Sequence, residues 1–338
     1  MWIINIYLIF RRIGRSVCMK RLAVVTSGGD APGMNPCIRA VVRASIYNGM
    51  EIYGIERGYA GLIENRFREL EVRSVSGIIY RGGTILKTSR CEEIKTKEGL
   101  EEAARNLVEN KIDGLVVIGG DGSLRGAWEI HKESGVPVVG IPATIDNDVS
   151  ETDTTIGFDT AVNTAVEAID KIRDTAMSLD RVFLVEVMGR RRGFLALEVG
   201  LASGSEFVLI PEVKYDLDAI CEELRGFYRR GKTSSIVVMA EGAGDMQAIA
   251  ERIAEKSGFE VRTSRLGYIQ RGGTPTAISR KLASIFGFKA VERMLDGCKA
   301  EMLGIKDGKL HWCHITRGWE KCKPIDTEVY KLVSILAT

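Results

Sequence analysis

Three short segments bring glycine and aspartate together in an order suited to phosphate chemistry: Ser27-Gly28-Gly29-Asp30, Gly119-Gly120-Asp121-Gly122-Ser123 and Pro142-Ala143-Thr144-Ile145-Asp146-Asn147-Asp148. Glycine lacks a Cβ, so its backbone N–H can approach a phosphate closely. A carboxylate beside that phosphate would repel it unless a cation lay between them. Magnesium, which takes oxygen ligands and shares them with substrate phosphates, resolves the conflict. A tight turn and a helix cap explain any single segment equally well. Three of them on one sheet edge would form a site.

The surrounding sequence supplies elements able to put them there. LAVVT (22–26), LVVI (115–118) and VPVVGI (136–141) are apolar runs without alternation, the pattern of strands buried on both faces. Each of the first two leads through glycine into a helical segment. A second series follows: a helical stretch over 160–178, the strand VFLVEV (182–187), FVLI (207–210), an amphipathic segment over 217–230 and IVVMA (236–240). Strands alternating with helices predict an α/β fold with mainly parallel sheets, divided near residue 158. Ligands of such sheets bind at the carboxyl ends of the strands.

Composition narrows the classes. Glycine makes up 37 of 338 residues, proline only 7, and 45% of the chain is hydrophobic, which excludes a disordered or collagen-like chain. Lysine and arginine total 47 against 45 acidic residues, a formal charge of +2, so nothing global recommends nucleic acid or a membrane surface as partner. Seven cysteines, an odd number thinly spread, favour a reducing compartment, and the cytoplasm is expected. The opening MWIINIYLIF is too short to span a bilayer, and its positive charges follow rather than precede the apolar run. Residues 1–18 are expected to form a mobile extension outside the fold.

Two motifs mislead. Gly226 to Thr233 matches the Walker expression GxxxxGK[ST], but it ends a helical segment and precedes a strand, the reverse of a working phosphate loop. Gly120-Asp-Gly122-Ser-Leu-Arg-Gly126 approaches the dinucleotide fingerprint, yet its last glycine comes one residue late. No acidic residue ends the next strand to hold a ribose, which disfavours a nicotinamide cofactor.

TSGGDAPGMN, RGGT with the following TSR, VVIGGDGS, TIDND, IGFDTA, EVMGR, AEGA and LGYIQRGGTP stand in the order and spacing of the 6-phosphofructokinases, and the chain resembles that family from about Leu22 to beyond Asp296. The resemblance implies two Rossmann-like three-layer α/β/α domains with mainly parallel sheets. The larger, nucleotide-binding domain would comprise 19–157 with about 270–320; the smaller, sugar-phosphate domain would comprise 158–269 with about 321–338. It further implies Mg-ATP, fructose 6-phosphate and a homotetramer. By motif match, Asp146 is the base for the sugar 1-hydroxyl, flanked by Thr144, Ile145 and Asp148. Asp121 holds Mg²⁺, with Asp148 as its candidate helper. Gly29, Gly120, Gly122 and Ser123 cradle the nucleotide phosphates, and Arg90 and Cys91 lie at a nucleotide contact. Arg190 and Arg90 would stabilise the transferred phosphoryl group. Met188, Gly189, Glu241 and Gln270 would shape the sugar site. Arg181, Arg262 and Arg271 would grip the 6-phosphate, the first two across a subunit interface. Tyr268 stands where bacterial members commonly have histidine; its hydroxyl donates a hydrogen bond but cannot become cationic near neutral pH.

Members using pyrophosphate carry aspartate after the metal aspartate and lysine before TIDND. Here those positions are Gly122 and Ala143, and both point to ATP. Arg39, Arg43, Arg173, Glu206, Arg230 and Lys232 match the family's effector pocket, while Val72 and Thr233 replace expected cations. Two alternatives stay open at this point, a pyrophosphate-dependent phosphotransferase and a catalytically silent phosphate-binding relative.

Overall fold

The computed structural model describes residues 19–337, so the extension expected over 1–18 lies outside the described residues. Among the described residues, twelve strands form two sheets. The larger uses β1 (Arg21–Thr26), β2 (Glu51–Ile55), β3 (Phe67–Glu69), β4 (Gly114–Gly119), β5 (Val138–Thr144) and the short β6 (Ile156–Gly157). The smaller contains β7 (Val182–Val187), β8 (Phe207–Leu209), β9 (Ser235–Ala240) and β10 (Val261–Arg265). The chain then returns to the larger sheet through β11 (Ala300–Lys306) and β12 (Lys309–His314).

The larger sheet runs β12-β11-β5-β4-β1-β2-β3, with β6 paired to β5; only the β11–β12 and β2–β3 pairs are antiparallel. The smaller runs β10-β7-β9-β8 and is parallel throughout. Every residue of β4 and β9 is buried, as expected of apolar runs covered on both faces.

Eleven helices among the described residues cover these faces: α1 (Met34–Tyr47), α2 (Gly58–Ile63), α3 (Lys97–Glu109), α4 (Asp121–Ser134), α5 (Phe158–Leu179), α6 (Phe194–Ser203), α7 (Leu217–Arg229), α8 (Met246–Ser257), α9 (Ala277–Leu295), α10 (Arg317–Glu320) and α11 (Thr327–Leu336). The period of two along each strand separates the cores. Ala23, Val25, Leu115 and Val117 pack in one cluster with residues of α2, α3 and α4. Their neighbours Leu22, Val24, Val116 and Ile118 share a central cluster with α1, α9, α5 and one face of the smaller sheet. Val182, Leu184, Val237 and Met239 form a third with α7 and α8.

Three local results refine the sequence reading. β5 begins at Val138 and runs to Thr144, two residues later than VPVVGI and three residues longer at its end, which puts the TIDND segment directly on the strand terminus. The Walker-like segment closes α7 and precedes β9, the inverted context read from the sequence. The hairpin between β11 and β12 turns on Asp307 (φ 52°) and Gly308 (φ 71°), the left-handed pair that a two-residue turn demands. After α10 the chain crosses once more, and α11 packs against α6 and β8 of the smaller sheet.

Candidate active site

Adjacent strands bring the three glycine–aspartate segments together. Thr26 pairs with Ile118 and Gly119 with Pro142, so all three segments leave the same edge of β1, β4 and β5. Gly120 precedes α4 and Asp121 is the first residue of that helix, whose free N–H groups favour an anion. A Cβ at Gly122 would meet nothing within 4 Å, so that glycine leaves open space rather than filling a packing need. Ser123 is buried, and a Cβ at Gly119 would collide with it. Thr88 Oγ1 donates to the Gly28 carbonyl at 2.9 Å, tying the loop that carries Arg90 to the first segment. Arg90 is exposed, and Cys91 packs against the core of the larger unit.

The smaller sheet presents its own carboxyl edge to this one. Val187 pairs with Ala240 and Glu186 with Arg265, which places Met188–Arg190, Glu241 and the Gly267–Arg271 turn side by side. Gly189 has φ 132°, and a Cβ there would lie 2.6 Å from the Arg192 carbonyl. Arg190 follows at φ 56°, a left-handed conformation uncommon for arginine. The Arg190 N–H donates to Glu241 Oε1 at 2.5 Å, and its guanidinium Nη1 reaches Asp121 Oδ1 of the larger unit at 3.7 Å.

Asp146 is 6% exposed, and its N–H donates to Thr144 Oγ1 at 3.2 Å. Burial, reinforced by the nearby charges of Asp148 and Glu241 and opposed by Arg190 and Arg271, pushes its carboxyl up to about 7. Asp148 is raised by burial and by Asp121. A carboxyl brought near neutrality beside a fixed cation is suited to accept a proton. Asp121 and Asp148 are oxygen donors coupled to one another at the phosphate edge, which fits Mg²⁺ held mainly by substrate phosphates and water. Among the described residues no group of three or more His, Cys, Asp and Glu side chains stands ready to enclose a metal.

The remaining candidates fall into distinct places. Arg271 pairs with Asp30 at 2.9 Å, with its guanidinium over the Tyr268 ring, so it sits against the phosphate segments. Tyr268 is 78% exposed. Gln270 is wholly buried and accepts from the Met188 N–H at 3.0 Å, while its Nε2 has no hydrogen-bond partner. Arg181 and Arg262 both engage Glu260. They lie at the beginnings of β7 and β10, the ends opposite Met188, roughly 15–25 Å away at about 3.3 Å per strand residue. Within one chain they do not join Asp146.

Of the effector candidates, Glu206 gathers Lys232 at 2.8 Å and Arg173 at 3.7 Å, and Arg230 lies with Lys232 over Phe227. Arg39 and Arg43 are on α1, apart from that cluster. Pairings over long sequence separation, such as Arg271 with Asp30, escaped the sequence reading because no spacing signals them.

Two facing parallel-sheet edges, one offering glycine-lined N–H groups and carboxylates and the other a fixed arginine, define a phosphoryl-transfer enzyme of the α/β class. The chain belongs to the phosphofructokinase family: the family model described as Phosphofructokinase matches residues 21–294. It is 53% identical to an ATP-dependent 6-phosphofructokinase of Halothermothrix orenii over 94% of this chain and all of that protein. It is also 53% identical to an ATP-dependent 6-phosphofructokinase of Halalkalibacterium halodurans, over 93% of this chain and 98% of the relative. Among solved structures it is similar to Pichia pastoris phosphofructokinase in the T-state, with TM-score 0.84 and 36% identity over 89% of this chain and 35% of that longer one.

Proposed function

We infer that the chain is an ATP-dependent 6-phosphofructokinase, transferring the γ-phosphoryl group of ATP to the 1-hydroxyl of fructose 6-phosphate. The observation that carries this is the Asp146 carboxyl, buried and brought near neutrality in the same cleft that holds Arg190 against Asp121. Gly29, Gly120, Gly122 and Ser123 receive the nucleotide phosphates at the start of α4, and Arg90 approaches from the neighbouring loop. Asp121, helped by Asp148, would hold Mg²⁺, which when bound neutralises charge on the phosphates. Asp146 accepts the proton of the sugar hydroxyl as the O–P bond forms, and Arg190 stabilises the equatorial oxygens of the group in flight. Thr144 fixes the Asp146 backbone; Ile145, Met188 and Gly189 shape the sugar pocket with Glu241. The residues divide as 19–157 with about 270–320 for the nucleotide and 158–269 with about 321–338 for the sugar phosphate.

Arg181 and Arg262 of a second subunit complete the 6-phosphate grip with Arg271, so the working form is an oligomer, most simply a homotetramer. Arg173, Glu206, Arg230 and Lys232 of one subunit face Arg39 and Arg43 of another as an effector site. No helix among the described residues is long and apolar enough to cross a membrane; the cytoplasm is the proposed location. Incubation with Mg-ATP and fructose 6-phosphate should yield ADP and fructose 1,6-bisphosphate one for one, and chelation of Mg²⁺ should stop it. Absence of bisphosphate under saturating substrates would leave the silent-relative reading standing.

A further inference from the structure

The turn that carries Arg190 is not held by its own sheet alone. The Arg192 N–H donates to the Gly189 carbonyl at 3.0 Å, closing the turn in which Arg190 takes its left-handed conformation. The Arg192 side chain then reaches in two directions. Its Nε lies 3.2 Å from Glu212 Oε1, just after β8, and its Nη2 donates to the backbone carbonyl of Lys323. Lys323 belongs to the segment crossing from α10 to α11. Its own amine donates to the Asp153 carbonyl at 2.9 Å, on the loop that continues from Asp146–Asp148. Ser150, on the same loop, donates to the Lys321 carbonyl. Both cations lie over the Phe194 ring, Arg192 5.2 Å and Lys323 5.2 Å from its centroid.

We propose that Arg192 is a positioning residue: through the Lys323 segment it locks the Arg190 turn of the smaller unit to the Asp146 loop of the larger one. Arginine suits this place because its planar fork serves Glu212 and a carbonyl at once, which a lysine point charge does not. The crossing segment is bonded to both loops, so a shift in either would be transmitted to the other. In this role Arg192 acts by fixing where Arg190 stands relative to Asp146.

The proposal rests on the catalytic role of Arg190, and a double-mutant cycle separates the two. Arg192→Ala should lower kcat about tenfold or more, with the KM values for ATP and fructose 6-phosphate within about threefold. Arg192→Lys, which keeps only the charge toward Glu212, should restore little. Lys323→Met should reproduce part of the loss. In an Arg190→Ala background, Arg192→Ala should cost less than about twofold further, because the group it positions is gone. Melting curves of each variant identify any that fail to fold, and Lys323→Met keeps the test open if Arg192→Ala is one of them. Equal losses from Arg192→Ala with and without Arg190, or full rescue by lysine, would overturn the proposal. An Arg190→Ala variant with undiminished turnover would instead overturn the role of Arg190.

Discussion

The Arg190 guanidinium stands 3.7 Å from the Asp121 carboxylate across the gap between the two sheets. Neither residue is buried, so the pair itself contributes little to stability. Its importance is geometric: it sets an arginine beside the residue proposed to hold the metal. Asp121→Asn keeps the shape and removes the charge. It should raise the Mg²⁺ concentration for half-maximal activity about tenfold and lower kcat by about 10²-fold or more. A magnesium titration that superimposes on the parent's would show that Asp121 does not hold the metal.

Asp146 predicts two pH effects. As the base it must be ionised, so kcat/KM should fall about tenfold per pH unit below a midpoint near 7. Asp146→Asn should lose about 10²–10⁴ in turnover at every pH.

The same carboxyl affects folding with the opposite consequence. Its folded-state value lies above the ordinary 3.8, so between about pH 4 and pH 7 the folded chain binds more protons than the unfolded one. Stability from this group therefore falls as pH rises through that window, by up to about 4 kcal/mol. Denaturation of the ligand-free protein should show Asp146→Asn gaining on the parent between pH 5 and pH 8. A gap that does not change with pH would contradict the assignment.

Gly122 separates donor choice from folding. A Cβ there meets no neighbour within 4 Å, so Gly122→Asp should unfold within about 0.5 kcal/mol of the parent. Its carboxylate would nevertheless face the nucleotide phosphates in the proposed cradle at the start of α4. Turnover with ATP should drop by about 10²-fold or more, about 2.7 kcal/mol. Unaltered ATP kinetics would mean that the nucleotide does not pass this residue.

Arg181 and Arg262 share Glu260 at the far ends of β7 and β10, and the proposed 6-phosphate grip takes them from a second subunit. Arg262→Ala should raise the fructose 6-phosphate KM by about 10–100-fold, the loss of one charge-assisted contact, with a smaller effect on kcat. Specific activity should also decline on dilution, in step with the oligomer measured by light scattering. A monomer with full activity would refute the shared site.

Much of the fold was legible because it rests on local signals. β1, β4, β7 and β9 are apolar runs that only a doubly covered sheet accommodates, and the three glycine–aspartate segments follow from the strand ends. β10 was not legible. Its VRTSR is largely exposed and is held by backbone pairing to β7 rather than by an apolar pattern. The β11–β12 hairpin also passed unread, although Asp307-Gly308 marks its turn. At the site, residue types could be assigned by motif, but Asp146's displaced proton affinity arises from burial, from neighbouring Asp148 and from charges on three other segments. The Arg192–Lys323 link spans 131 residues and leaves no periodic trace.

Initial rates of fructose 1,6-bisphosphate formation with Mg-ATP and with magnesium pyrophosphate, at matched concentrations on one preparation, test the central claim most directly. Gly122 and Ala143 predict turnover with ATP and at most a trace with pyrophosphate. Faster turnover on pyrophosphate, or none with either donor, would contradict it.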